Sequence, residues 1–160
     1  MSSTDVSSTT SSPTPNPEAG EWRLEVVAIP VSDVERAKHF YVNKLGWRLD
    51  ADFNVNENFW VVQATPPGSL CSIHFGKGIT TAEPGSVQRL ELVVEDIDAA
   101  RADLISRGVD VSEVYEERPP GLESVPGRSY FALASFSDPD GNGWLLQEVT
   151  TRLPGREWED

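Results

Sequence analysis

Polar residues that could bind a ligand recur at alternate positions in segments of strand-like composition. Arg89 and Glu91 flank Leu90 in one aliphatic run, while His74 and Gln147 lie in two others. Because alternate residues of a strand project from the same face, Arg89 and Glu91 should share one side of a sheet. A guanidinium binds a carboxylate through two parallel hydrogen bonds, whereas imidazole and carboxylate groups can ligate a divalent cation. The pattern therefore predicts a site for a polar small molecule or for a metal ion.

Composition limits the classes of partner. The 160 residues include 13 basic and 26 acidic side chains, which gives a net charge of −13. Such a charge repels phosphate backbones and anionic lipids. No apolar run approaches the roughly 20 residues that cross a bilayer, and the N-terminus lacks the pattern of a secretory signal. We therefore expect a cytoplasmic protein with neither nucleic-acid nor membrane partners, whose lone Cys71 forms no internal disulfide.

A strand, a helix and three strands are predicted in the first half of the chain. Residues 21–31 are rich in aliphatic side chains. A capping box follows, in which Ser32 and Glu35 satisfy free N–H groups at the start of a helix. The apolar stripe of this helix consists of Val34, Ala37, Tyr41 and Leu45, and Gly46 ends the helix after about three turns. Strands are then predicted at residues 47–53, 59–65 and 70–76.

The same order of elements recurs in the second half. Asp33 and Asp96 each follow an aliphatic strand and precede a helix, 63 residues apart, and the two helices carry the same apolar stripe at that offset. Gly108 ends the second helix, and strands are predicted at residues 109–115, 130–137 and 143–150. Two βαβββ modules are therefore predicted, at about residues 22–77 and 86–150.

Three segments fall outside these elements. Residues 1–20 are rich in Ser, Thr and Pro and are predicted to be a disordered tail before a folded domain at residues 21–150, with a second tail at residues 151–160. Residues 116–129 are too rich in Pro, Gly and charge to form core. A loop of this length is either a lid over a site or a plain surface insertion, and the sequence leaves both interpretations open.

Several short motifs occur in a characteristic order. They are AIPVSD at residues 28–33, the pair Phe40-Tyr41, the triplet Leu45-Gly46-Trp47, and FSDPDGNGWLLQE at residues 136–148. In this order and spacing they resemble the glyoxalase/bleomycin-resistance/dioxygenase superfamily, also called the vicinal oxygen chelate superfamily. The resemblance covers nearly all of the predicted domain. It implies an α+β fold in which two tandem βαβββ modules form a curved mixed sheet around a cleft, with the helices outside, and it implies a homodimer.

The resemblance also implies where a metal would bind. In metal-dependent members the ligands come from the first, fourth, fifth and eighth strands, and the corresponding positions here are Val26, His74, Arg89 and Leu145. Val and Leu offer no lone pair, and a guanidinium repels a cation. We therefore expect no metal at the superfamily's positions and no required cofactor. A displaced site for Ni, Zn, Mn or Fe, formed by His74, Glu91 and Gln147, remains the open alternative.

Two functions are consistent with this sequence. The first is a small-molecule binding protein with a polar cleft and a degenerate metal site, like the metal-free antibiotic-binding members of the superfamily; its organic ligand would carry an anionic group bound by Arg89. The predicted ligand-binding residues are Arg89, Glu91, His74, Gln147, Val26, Leu145 and Trp60. The second is a metal-dependent enzyme, namely a lyase, an isomerase or epimerase, or a dioxygenase, that uses the displaced ligands. The sequence assigns no catalytic residue and leaves open whether the protein is an enzyme.

Overall fold

Each half of the chain folds as a strand, a helix and three further strands. The computed structural model describes residues 20–154 and 156, so the predicted tail at residues 1–20 lies outside the described residues apart from Gly20. The first module contains β1 (Val26–Ala28), α1 (Val34–Lys38) continued by a π-helical segment (His39–Lys44), β2 (Arg48–Asn56), β3 (Phe59–Thr65) and β4 (Ser72–Lys77). The second contains β5 (Leu90–Val94), α2 (Ile97–Ser106), β6 (Tyr115–Glu116), β7 (Ala132–Ser137) and β8 (Gly143–Glu148). Among these described residues no helix has the length and apolar character needed to span a membrane.

The strands form two four-stranded mixed sheets of equivalent topology. Their orders are β1-β4-β3-β2 and β5-β8-β7-β6. In each sheet the first strand of the module runs parallel to the last, and the remaining pairs are antiparallel. The predicted α+β class and the duplicated module are confirmed, with the curved sheet divided into two.

One aromatic core joins the two sheets. The Tyr41 ring lies 5.5 Å from Phe75 of β4 and 6.0 Å from Trp144 of β8, measured between ring centroids. The core-facing sides of both sheets therefore meet around Tyr41, and we call the opposite sides the outer faces. Residues alternate between the two sides of each strand: Val27 and Leu92 pack against this core, and their neighbours in the chain lie on the outer faces.

The turn between β7 and β8 is buried against the first module. Asp138 accepts a hydrogen bond from Tyr41 Oη at 2.8 Å, and Tyr41 Oη accepts one from Trp144 Nε1 at 2.9 Å. Asn142 Nδ2 donates to Asp138 at 2.8 Å and to the carbonyl of Pro30 at 2.8 Å. Burial, together with the charge of Asp138, raises the pKa of Tyr41. The turn therefore connects two strands and also links the two modules through buried hydrogen bonds.

The first helix differs from its prediction at its start and in its second half, whereas Gly46, with a φ of 76°, ends it as predicted. Its N-cap is Asp33, whose carboxylate accepts from the N–H of Arg36 at 3.1 Å. Ser32 instead donates to Asp140 of the second module at 2.5 Å, so the predicted capping box is wrong. After Lys38 the helix widens into the π-helical segment, which ends where the N–H of Leu45 bonds the carbonyl of Phe40. The adjacent residues Phe40 and Tyr41 are both buried there.

The strand predicted at residues 109–115 is shorter than expected. It is reduced to a single bridge between Val111 and Phe136 and to the two residues of β6. Ser112 accounts for part of the difference, because its hydroxyl accepts the N–H of Ser135 at 2.9 Å in place of a backbone carbonyl. A side chain that competes for a ladder hydrogen bond interrupts regular strand pairing.

Candidate ligand-binding site

A polar cleft of about 680 Å³ lies on the outer face of the second sheet. Its polar lining includes Arg89, Asp110, Ser112, Ser135 and Ser137. Leu145 contributes an apolar floor, and it is buried together with Leu133 of the neighbouring strand β7. An apolar floor surrounded by a few hydrogen-bonding groups is the usual construction of a small-molecule site.

Arg89 lines this cleft and pairs with two carboxylates. Its Nη2 donates to Glu117 Oε1 at 3.0 Å, and its Nε lies 3.7 Å from Glu91 Oε1. The hydrogen bond with Glu117 is the main cause that raises the pKa of Arg89. The backbone of Arg89 has a φ of 65°, in the left-handed region that residues other than glycine rarely adopt. Arg89, which lines the cleft, therefore has an unfavourable backbone conformation.

The contact between Arg89 and Glu117 bridges the outer face. Arg89 immediately precedes β5 and Glu117 immediately follows β6, and these strands are opposite edges of the sheet. At about 4.8 Å per strand spacing, the edges of a flat four-stranded sheet would be at least roughly 14 Å apart. The two side chains can meet only if the face is concave and both reach over it. The pair therefore reaches over the outer face of the second sheet, and Arg89 is its member that lines the cleft.

The loop at residues 117–131 follows a path set by two arginines. Arg118 donates to the carbonyls of Val125 and Gly127, both at 2.6 Å, and its guanidinium lies 4.4 Å from the centroid of the Phe131 ring. At the other end, Arg128 donates to the buried carboxylate of Glu148 at 2.9 Å. The loop is therefore ordered by its own contacts, and its first residue is tied to Arg89 at the cleft.

The outer face of the first sheet carries different chemistry. His74 of β4 is half-buried between Ala28 and Gln63 in the strand register, and Val26 lies on the same face. Burial lowers the pKa of His74, which favours the neutral imidazole. This face carries no counterpart of Arg89, because Val26 occupies the equivalent position.

The structure divides the predicted site residues into three groups. Arg89, Glu91, Leu145 and Gln147 share the outer face of the second sheet, where the Gln147 amide donates to the carbonyl of Tyr130 at 3.0 Å. Val26 and His74 share the outer face of the first sheet. Trp60 faces the core, and its Nε1 donates to Asp52 at 2.7 Å.

The displaced metal ligands belong to two different sheets. His74 lies on β4, whereas Glu91 and Gln147 lie on β5 and β8. Within residues 20–154 and 156, no three His, Cys, Asp or Glu side chains are grouped so that they could hold a metal ion. At the superfamily's ligand positions, Val26 and Leu145 offer no donor atom, so these residues do not fit the metal that the superfamily implies.

Several residues of the cleft were not found from the sequence. Ser135 and Ser137 alternate along the predicted strand at residues 130–137, so strand periodicity alone would have placed both on one face. Asp110 and Ser112 lie where regular pairing fails. No local pattern could have identified Glu117, since its role depends on a contact with a residue 28 positions earlier.

The chain matches one known protein family over most of its length. A model of the Glyoxalase/Bleomycin resistance protein/Dioxygenase superfamily matches residues 23–146. The chain belongs to this superfamily. No curated protein matches the chain.

Solved structures of superfamily members have the same fold. TnmS3, an antibiotic binding protein from Streptomyces sp. CB03234, is 33% identical over 81% of this chain and 98% of its own, with a TM-score of 0.65. A glyoxalase/bleomycin resistance protein from the same organism is 34% identical over 79% of this chain and 100% of its own, with a TM-score of 0.61. A superfamily member from Sphaerobacter thermophilus DSM 20745 is 32% identical over 80% and 98%, with a TM-score of 0.63.

Proposed function

We propose that this protein binds a small organic molecule in the cleft on the outer face of its second sheet. The observation that carries the proposal is Arg89, which lines a cleft of about 680 Å³ together with the buried Leu145 and donates to Glu117. That volume lies within the range of about 300–1,000 Å³ typical of ligand sites. The similarity to TnmS3, an antibiotic binding protein, supports an antibiotic-like ligand.

The ligand in this proposal carries an acidic group that replaces Glu117 at the guanidinium. Arg89 and Glu117 are both more than half exposed, with side-chain exposures of 58% and 53%. Ion pairs of that exposure contribute little to stability, so an incoming carboxylate can exchange with Glu117 at small cost. The exchange releases the start of the loop at residues 117–131, while Glu91 stays beside Arg89. Ser112, Ser135 and Ser137 supply further hydrogen-bonding groups around the ligand.

A homodimer is the second part of the proposal. Large apolar side chains are exposed in the first module, including Leu24 and Phe53 of the segments that build its outer face. An outer face that exposes large apolar side chains is a candidate protein interface. In the dimer, the outer face of the first sheet in one copy packs over the outer face of the second sheet in the other copy. His74 then lies opposite the cleft of the partner.

An enzymatic role through displaced ligands is the alternative proposal. The neutral imidazole of His74 can ligate a metal, but Glu91 and Gln147 would have to come from another copy of the chain. Elemental analysis of the purified protein, followed by a chelator and reloading with nickel, zinc, manganese and iron, tests this alternative. Stoichiometric metal, or a melting temperature that falls on chelation, would favour the enzyme.

Thermal-shift screening of antibiotics with and without a carboxylate tests the binding proposal. We expect at least one acidic compound to raise the melting temperature of the native chain and to lose at least tenfold in affinity with Arg89→Ala. Glu117→Gln should bind the same compound more tightly, because the competing carboxylate is gone. Arg48→Gln is the matched control, since it removes an exposed arginine that also pairs with a carboxylate. Equal affinity of the native chain and Arg89→Ala would reject Arg89 as the anchor.

A further inference from the structure

A second cavity, of about 600 Å³, lies between the two modules on the core-facing side of β5. The first module contributes Leu45, Trp47 and the turn at residues 66–69, and the second contributes Leu92, Leu104 and Leu146. Phe136 is the one residue that lines both this cavity and the polar cleft, among the residues that the structure describes. We call it the inter-module cavity, and it is separate from the site proposed above.

The walls of the inter-module cavity are mainly apolar. Leu45, Trp47, Phe136 and Leu146 belong to the buried core, and Leu92 and Leu104 pack against it. An apolar ligand that enters a cavity with such walls removes its own surface from water and gains the free energy of burial. The walls therefore suit a molecule with an apolar body.

Charged side chains line the same cavity and determine which end group fits. Asp103 accepts a hydrogen bond from Arg107 Nε at 3.0 Å, and Arg107 Nη1 donates to the carbonyl of Lys44 at 3.3 Å. These two bonds fix the guanidinium plane and use Nε and Nη1, which leaves Nη2 for a ligand. The other lining carboxylate, Glu91, already faces Arg89. Arg152 adds a second guanidinium to the lining.

We propose that the inter-module cavity binds an apolar molecule that ends in a single carboxylate, such as a medium-chain aliphatic acid. The acid contacts the guanidinium of Arg107, with Arg152 nearby, and the apolar body lies against Trp47 and Leu104. Carboxylate and guanidinium form charge-assisted hydrogen bonds that are stronger than neutral ones. This site does not depend on the cleft, so either proposal can fail alone.

The test is calorimetric titration of the full chain with decanoate, with decanol as the uncharged comparison. We expect one decanoate per chain, a change in tryptophan fluorescence because Trp47 lines the cavity, and at least tenfold weaker binding of decanol. Arg107→Gln should weaken decanoate binding about tenfold. Arg23→Gln is the matched control, because Arg23 is exposed, pairs with a nearby carboxylate and does not line the cavity.

Two further variants separate this site from the cleft. Ala100→Phe places a large side chain in the cavity and should abolish decanoate binding while circular dichroism confirms the fold. Ser135→Ala should retain decanoate binding, since Ser135 lines only the polar cleft. Unchanged affinity in Arg107→Gln, several decanoate molecules per chain, or loss of binding in Ser135→Ala would each overturn the proposal.

Discussion

The two sheets share a strand order, yet their outer faces have diverged. In the first sheet the outermost strand, β2, has nine residues, and Phe53 on the outer face is 62% exposed. In the second sheet the outermost strand, β6, has two residues, and Leu133 on the outer face is 2% exposed. The edge of the first outer face is therefore exposed, whereas the second outer face has a buried apolar floor.

Two sequence differences account for this divergence. Arg89 stands where the first module has Val26, and a loop at residues 117–131 stands where the first module has only the short turn between β2 and β3. Neither difference would suffice alone, because the bridge needs both the guanidinium and the carboxylate of Glu117.

Both sheets depend on the core and turn that they share. Among the variants considered, Asp138→Ala should lower the free energy of unfolding the most. The variant removes the acceptor of the Tyr41 hydroxyl and of the Asn142 amide, which leaves buried donors without a partner. We expect the free energy of unfolding to fall by about 3 kcal/mol, and urea denaturation measures it. Glu113→Ala, at an exposed position, should change it little. Equal effects of the two variants would contradict a joint role for the turn.

Arg118→Ala tests whether the loop covers the second face because of its own contacts. The variant loses two hydrogen bonds to carbonyls and the contact with Phe131, so we expect the loop to open with a cost of about 1–2 kcal/mol. Hydrogen exchange at residues 117–131 should quicken about tenfold, while β3 and β4 keep their protection. If exchange increases equally in both modules, the arginine stabilises the whole fold and does not act on the loop.

The smallest expected effect on stability comes from His74, on the outer face of the first sheet. Its pKa is lowered by burial from an ordinary value of 6.5, so the unfolded chain binds a proton more readily than the folded chain. Stability should therefore fall as the pH decreases from 6.5 towards the lowered pKa, and His74→Gln should lose this component. Asp50 and Asp52 have lowered pKa values too, but they act only below about 3.8. Denaturation at a series of pH values from 7 to 5 would detect the difference; parallel curves for native and variant chains would contradict it.

Periodic features were predicted well because they depend on neighbours in the chain. Alternation along the strand predicted that Arg89 and Glu91 share one face, and the 63-residue offset identified the second helix, which begins after Asp96. Contacts between the two modules could not be predicted from the sequence. Ser32 pairs with Asp140, which lies 108 residues away, and His74 is separated from Glu91 by the arrangement of the two sheets. Only the packing of one module on the other decides such contacts.

The placement of Tyr41 between Phe75 and Trp144 has a consequence for how the domain is divided. Neither module encloses a complete aromatic core, because each supplies one wall of it. A cut in the connection at residues 79–84 would therefore yield two fragments that acquire their native structure only on association, as in fragment complementation. Although the sequence repeats, the unit of folding is the pair of modules.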